Sequence, residues 1–550
     1  MPGRYCALVL MIGLIAGCGG PNGAPAAKSP QAGADARYEF TARVDSMSVA
    51  PTVADPASGR EENSGPLTDL ASNTEAYDHI TDNSFLNVTR NPLSTFSIDV
   101  DTASYSNVRR FLSQRQRPPR GAVRIEELVN YFSYDYPQPQ RDVPFSVNIE
   151  VAACPWNASH RLARIGLKGR DVPADQRPVS NLVFLIDVSG SMQDAQKLPL
   201  VKAGLKLLVN QLGENDRVAL AVYAGASGLV LPSTTGDQKS AILSAIENLQ
   251  AGGSTNGGAG IELAYRTAAE NFIKHGTNRV ILCTDGDFNV GVTSHDQLIS
   301  LIEDKARSGV FLTVLGFGMG NYKDSTLEKI ADKGNGNYAY IDSANEAKKV
   351  FVDQLQGTLI TIAKDVKLQI EFNPARVGSY RLIGYENRLL AAQDFNDDKK
   401  DAGEIGAGHT VTALYELIPT GSETTIAAES ADGVDPLRYQ APGVATEAAA
   451  SDELFTLKLR YKQPEGDSSQ LVDYPCIDHA DPAARPSTDF TWAAAVAAFG
   501  MILRDSPHKG NATMPAVLEL AESSRGEDRA GYRKEFIDLV RGALPMLVTR

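Results

Sequence analysis

The sequence predicts an α/β protein in which a doubly wound, mostly parallel sheet fills the middle third of the chain. That sheet is inserted between flanks that form a β-sandwich, and a helical region follows at the C-terminal end. Three observations predict this. Between residues 178 and 360, apolar runs of strand length alternate with amphipathic helical stretches, the pattern of a parallel sheet covered on both faces. On either side, at 145–167 and 366–461, shorter runs alternate as antiparallel strands do. Beyond residue 487 apolar residues recur at helical spacing. A length of 550 residues accommodates roughly three to four such units.

Taken in order, the chain starts with Arg4 and an apolar run from Ala7 to Ile15, too short to cross about 30 Å of hydrocarbon as a helix. The run closes in Ile15-Ala16-Gly17-Cys18, which resembles the bacterial lipoprotein signal. The resemblance implies that residues 1–17 are a signal peptide and that Cys18 is acylated. It also implies an outer-membrane address, because Gly19 follows where an Asp would mark inner-membrane retention. Acyl chains contribute about 0.8 kcal/mol per buried methylene, so two or more hold a protein on a bilayer; membrane contact is by lipid anchor only. Residues 18–82 are rich in Pro, Ala, Ser, Gly and Asp without a period, and read as a disordered tether with a reach of roughly 40–45 Å.

The N-terminal flank, 83–177, begins with a strand entering a helix capped near Thr102 and continuing through Tyr105, Val108 and Phe111. A second short helix falls at 124–132, and strands at 145–151 and 161–167. The central unit, 178–360, opens with the uninterrupted apolar run 181–186, a strand covered on both faces. Val201, Leu205, Leu208 and Leu212 then form one helical stripe. Strands follow at 218–223, 229–231, 280–284, 310–315 and 338–341, with helices at 239–249, 258–272, 296–306, 326–331 and 344–355. The β-rich flank 361–465 has strands at 366–372, 380–383, 409–417 and 454–461. In the region 466–550, Phe490, Ala494, Ala497 and Met501 make one stripe of a buried helix and Trp492, Val496, Phe499 and Leu503 another. Tyr532, Phe536, Leu539 and Ala543 mark a last helix.

A sheet of this kind binds ligands at the carboxyl ends of its strands. Three segments fall there: Asp187-Val188-Ser189-Gly190-Ser191, Gly253-Ser254-Thr255-Asn256-Gly257 and Thr284-Asp285-Gly286. Their ligands are all oxygens. Two carboxylates, two Ser hydroxyls and a Thr hydroxyl suit a hard cation with an octahedral shell at about 2.0–2.1 Å, Mg2+ or Mn2+ in preference to zinc or copper. On these residues the central unit resembles the von Willebrand factor type A domain, and the three segments resemble its metal-ion-dependent adhesion site. The resemblance implies direct coordination by Ser189, Ser191 and Thr255, with Asp187 and Asp285 acting directly or through water. The wider chain, including Pro92 to Tyr105 and the terminal region, resembles bacterial lipoproteins of the YfbK type.

Two other acidic stretches are weaker. Asp99-Val100-Asp101-Thr102-Ala103-Ser104 departs from the DxSxS pattern and reads as a helix cap. The run from Asp394 to Glu404 lacks the Gly and Glu of a calcium loop and reads as a solvated acidic loop. Three cysteines remain beyond Cys18 in an oxidising compartment. Cys283 lies in a buried strand, whereas Cys154 and Cys476 lie in Pro-containing loop contexts that are compatible with a bridge.

Lys and Arg number 53 against 67 Asp and Glu, a net charge of −14 that makes nucleic acid a poor partner. No HExxH, GxSxG or GxxxxGK[ST] motif occurs, and the candidate site offers neither a nucleophile nor a general base. The expectation is therefore a non-enzymatic cell-envelope lipoprotein that binds a protein partner, whose Asp or Glu carboxylate completes the metal's shell. An assembly scaffold with an idle metal site is the alternative, and a hydrolase drawing residues from the flanks is third.

Overall fold

The computed structural model describes Glu75 and residues 77–547, apart from 141–142, 226, 254–256, 287–294, 319–323, 401, 422–436, 442–443 and 479–484. The expected signal peptide, Cys18 and most of the expected tether lie outside the described residues. Residues 70–550 make one compact unit.

Its N-terminal elements are β1 (Leu86–Asn87), β2 (Leu93–Ser97), α1 (Ala103–Ser113), α2 (Ile125–Asn130), β3 (Phe145–Ala153) and β4 (Arg161–Gly169). Order starts earlier than composition indicates. Both oxygens of Glu75 accept hydrogen bonds of 2.9 Å from the Arg110 guanidinium, Tyr77 meets Phe111 edge to face, and Asp82 pairs with Arg504 at 2.7 Å. Such contacts need no apolar run, so they leave no compositional signal. The cap expected at Thr102 is also different. Its side chain makes no capping bond. Asp99 instead accepts the Asp101 N–H, Asp101 accepts the distant Tyr338 N–H at 2.7 Å, and Arg388 reaches both carboxylates.

The central unit runs β5 (Ser180–Asp187), α3 (Leu198–Gln211), β6 (Arg217–Tyr223), β7 (Ser227–Thr235), α4 (Lys239–Glu247), α5 (Gly257–Glu270), β8 (Thr277–Thr284), α6 (His295–Arg307), β9 (Phe311–Phe317), α7 (Asp324–Lys333), β10 (Tyr338–Ile341) and α8 (Ala344–Lys348). The strands form one sheet in the order β10-β9-β8-β5-β6-β7, parallel except for β7, which pairs antiparallel with β6. β5 is buried along its whole length because successive side chains enter opposite layers. Leu182, Phe184 and Ile186 join Val201, Leu205 and Leu208 of α3, while Val183 and Leu185 join Ile261, Ala264 and Tyr265 of α5.

The helix expected over 344–355 is broken. α8 gives way to a π turn at Lys349–Asp353 before α9 (Leu355–Leu359). Lys349 turns inward there, its ammonium donating to the Tyr131 carbonyl at 2.7 Å, and burial brings it down to about 7.

The chain then returns to the flanks with β11 (Thr361–Phe372), β12 (Val377–Ile383), β13 (Gly403–Gly406), β14 (Thr410–Pro419), β15 (Gln440–Ala441), β16 (Val444–Ala445), β17 (Glu453–Lys462) and β18 (Ser469–Ile477). Besides the two-stranded β15-β16 ribbon, two antiparallel sheets result, each built from both sides of the insert. β4 pairs with β14 in the sheet β1-β12-β14-β4-β3, and β2 pairs with β11 in the sheet β13-β11-β17-β18. Their inner faces meet in one core with Ile165, Leu167, Leu368, Ile370, Leu457 and Leu459. The acidic run after Asp394 is held by this sandwich and not merely solvated: Lys367 donates to the carbonyls of Asp394 and Asp397, and Lys462 to that of Asp398.

Three helices close the chain: α10 (Thr488–Arg504), α11 (Met514–Ser523) and α12 (Tyr532–Leu547). α10 is buried on nearly every side, capped by Ser487, and packs with α1, α2 and α12 over Leu162, Ile383 and Leu414 of the first sandwich sheet. Among the described residues no helix is long and apolar enough to cross a membrane. Cys154, Cys283 and Cys476 are free and buried. The Cys154–Cys476 bridge is not formed, because Cys154 sits in the helical core and Cys476 in the sandwich core. Burial pushes both thiols up to about 12.

Largely buried ion pairs weld the flanks on both sides of the insert to the central unit, and α1 to α12. Arg109 of α1 reaches Asp342, Glu346 and Glu535; Arg124 reaches Glu127, Asp324 and Glu328; Arg388 reaches Asp99, Asp101, Glu328 and Asp332.

Candidate metal centre

Asp187 ends β5 opposite Tyr223 of β6, while Cys283 of β8 stands opposite Ile186 on the other side. Asp285 therefore leaves the neighbouring strand at the same end of the sheet. There the parallel ladder stops and the chain turns away, so polar side chains collect in the crevice. Both carboxylates are 0% exposed.

Backbone bonds stitch the first two loops together. Gly190 N–H donates to the Gly253 carbonyl at 3.1 Å, and Gly252 N–H to the Val188 carbonyl at 2.7 Å. Gly253 has φ 95°, which the absence of a side chain permits. Within the first loop Ser189 N–H donates to Asp187 Oδ1 at 2.8 Å, and the Ser189 and Ser191 hydroxyl oxygens lie 3.0 Å apart. Ser189 is buried, whereas Gly190 and Ser191 are exposed, so the site opens to the surface over these two residues.

Four of the five expected residues, Asp187, Ser189, Ser191 and Asp285, thus stand at one end of the sheet. Thr255, two positions after Gly253 in the sequence, lies outside the described residues. Asp187 Oδ2 is buried and has no donor at full hydrogen-bond geometry among the described residues, the Tyr223 hydroxyl being the polar group that approaches the carboxylate. Burial pushes the Asp187 carboxyl up to about 6, and the negative charge of Asp285 adds to this against the Ser189 hydrogen bond. A carboxylate oxygen that lacks a full hydrogen bond, beside a second buried carboxylate and two hydroxyls, fits a hard dication. The hydroxyls are needed for this: among the described residues no three His, Cys, Asp or Glu side chains gather to hold a metal.

One residue of the site was not foreseen. Lys197 Nζ donates to Asp285 Oδ2 at 2.8 Å, with both side chains nearly out of solvent. A signal for it was available, because Lys197 occupies the N-cap of α3, where the positive end of the helix dipole disfavours a cation that lacks an anionic neighbour.

Residues 181–354 match the von Willebrand factor type A domain family, residues 71–164 a family described as von Willebrand factor, and residues 357–545 the family described as "Uncharacterized protein YfbK, C-terminal". The protein YfbK of Escherichia coli (strain K12) is 46% identical over 474 residues, which cover 85% of this chain and 80% of that one. Inter-alpha-trypsin inhibitor heavy chain H1 of Sus scrofa is 32% identical over 204 residues, 34% of this chain and 22% of its own. Among solved structures, von Willebrand factor type A from Catenulispora acidiphila is 15% identical and covers 74% of this chain and 91% of its own, with a TM-score of 0.40. Identity of this extent to YfbK, running from one flank through the insert to the other, means that the chain belongs to the YfbK family and that its inserted unit is a von Willebrand factor type A domain.

Proposed function

We propose that this protein is a cell-envelope lipoprotein, acylated at Cys18 and held at the outer membrane, whose type A domain binds a protein partner through Mg2+ or Mn2+. Domains of this type generally mediate protein–protein interactions. The observation that carries the metal reading is Asp187, a fully buried carboxylate with an oxygen that has no donor at full hydrogen-bond geometry among the described residues, beside Ser189 and Ser191. Asp187, Ser189, Ser191, Thr255 and Asp285 would hold the metal. The bound metal would supply a position that a partner's Asp or Glu carboxylate completes, and the exposed Gly190–Ser191 turn offers the way in.

The full chain, immobilised, should capture its partner in Mg2+ and release it in EDTA. Thr255→Ala should weaken capture without unfolding the protein, because it removes one hydroxyl and adds neither charge nor bulk. Capture unchanged by EDTA and by the variant would favour the second reading, an assembly scaffold with an idle site. The Lys197–Asp285 pair is the observation on that side, since an internal cation already serves one carboxylate. Anchoring is tested separately. A fatty-acid label should mark the wild type and miss Cys18→Ala, and equal labelling would refute acylation there.

A further inference from the structure

Lys197 is held in the site by more than its ion pair. Its stem lies against Gly318, immediately beyond β9, and its ammonium reaches Asp285, immediately beyond β8. A Cβ on Gly318 would fall 2.3 Å from Lys197 Cε, 2.5 Å from Cγ and 2.8 Å from Cδ. Gly318 also has φ 76°, so the turn accepts glycine for its backbone and for the lysine that crosses it. A flexible side chain at the mouth of a surface crevice would ordinarily point its ammonium into water. Here the residue is 8% exposed and its charge is directed inward.

We propose that Lys197 is a built-in counter-cation of the metal site, which weakens metal binding on its own and couples it to the arrival of an acidic group from a partner. The proposal rests on the metal reading above and specifies how the chain's own residues act toward the metal. Asp187, Asp285 and Lys197 together carry one net negative charge. A dication turns that into one net positive charge, which is costly where the groups are withdrawn from water, and a carboxylate from outside restores neutrality. Metal and carboxylate therefore bind better together than either does alone, and by linkage each raises the affinity for the other equally. Without the ammonium, the dication would neutralise the two aspartates unaided, and a further anion would gain less. The lysine in this way selects for anionic ligands.

The test uses the full chain and Mn2+, with free Mn2+ followed by electron paramagnetic resonance, in the presence and absence of saturating acetate as the carboxylate probe. Acetate–Mn2+ complexation in solution is subtracted. Lys197→Met and Lys197→Gln remove the charge, and circular dichroism verifies that each is folded. Both should bind Mn2+ at least about tenfold tighter than the wild type, about 1.4 kcal/mol. Acetate should tighten Mn2+ binding at least about fivefold in the wild type and clearly less in the variants. If the wild type binds Mn2+, Asp187→Ala does not, and the folded lysine variants bind no tighter than the wild type, the counter-cation proposal fails and the metal reading stands. No Mn2+ binding by the wild type or by either lysine variant overturns both. Should one variant not fold, the other gives the comparison. An absence of any acetate effect on the wild type contradicts the coupling whatever the variants do.

Discussion

The molecule buries carboxylates in two places and treats them differently. At the strand ends, two buried carboxylates stand with a single ammonium, which pairs with Asp285, near a turn exposed at Gly190 and Ser191. At the junction of α1 and α2 with α7 and β10, three guanidinium groups stand among a larger number of carboxylates that are almost entirely enclosed. Each place holds more negative than positive side chains. In the enclosed junction burial pushes Asp101, Glu127, Glu328 and Asp332 above the ordinary carboxylate range, which favours protons over unpaired charge there. The open site can draw its missing positive charge from solution. Access, more than the count of charges, separates a weld from a binding site.

The largest test of this contrast is Arg124→Met. It strands Asp324 in the interior and should cost about 3–5 kcal/mol in denaturant unfolding, because breaking a buried pair leaves an uncompensated charge. A loss below about 1 kcal/mol would deny the junction its structural role. Next in size is the response to metal. At 100 times the dissociation constant, Mg2+ should stabilise the wild type by about 2.7 kcal/mol, and thermal melts should show no such gain for Asp187→Ala. A variant that responds like the wild type would move the metal elsewhere.

A smaller effect is expected from pH. Burial pushes Glu328 up to about 7 and Glu126 up to about 8, so the folded state keeps protons that the unfolded chain releases. That stabilisation is complete below the unfolded glutamate value and is lost as pH rises through the folded values. His409, pushed down to about 4 by desolvation, adds a slope of the opposite sign, so the difference between two chains is the test: in metal-free unfolding between pH 5 and 7 the wild type should lose about 1–2 kcal/mol relative to Glu328→Gln. Equal pH slopes for the two chains would contradict the proton account of the junction. The smallest expected change is the metal-free stability of Asp187→Ala, within about 1 kcal/mol of wild type, because the substitution gives up one hydrogen bond but also a carboxylate that burial disfavours. A much larger loss would make Asp187 a structural residue like those of the junction.

What could be read from the sequence follows from the range of the forces involved. The uninterrupted run of β5 and the stripe of α3 are local consequences of a sheet covered on both faces, and they stand where periodicity puts them. The insertion was legible because strands of one kind flank a unit of another, and β4 with β14 realises it. α11 was missed although Thr513 caps it and Pro515 opens it, because its ten residues are too few for a clear period. The π turn at Lys349, the pairing of Glu75 with Arg110 and the network around Arg388 join residues far apart in the chain, and no local pattern announces such pairs. At the candidate metal centre, Asp187, Ser189, Ser191 and Asp285 lie at one end of the sheet because each ends or follows one of its strands. Lys197 reads locally as the polar start of a helix, and only the helix dipole hints at a buried anion.

The pairing of β4 with β14 also governs the order of events as the chain emerges, N-terminal end first, into the compartment where it folds. β3 and β4 emerge as a two-stranded hairpin, a form that is marginally stable in water, and the partner for their open edge follows only after the entire type A domain has been made. The domain itself is contiguous and buries its own sheet, so it can fold while the hairpin waits. Once folded, it replaces a long floppy loop with a rigid bridge between β4 and β11 and so removes much of the entropy of bringing the two halves of the sandwich together. The insert thus serves as an assembly jig for the sandwich that surrounds it, and destabilising it should slow maturation of the whole chain well before any partner is met.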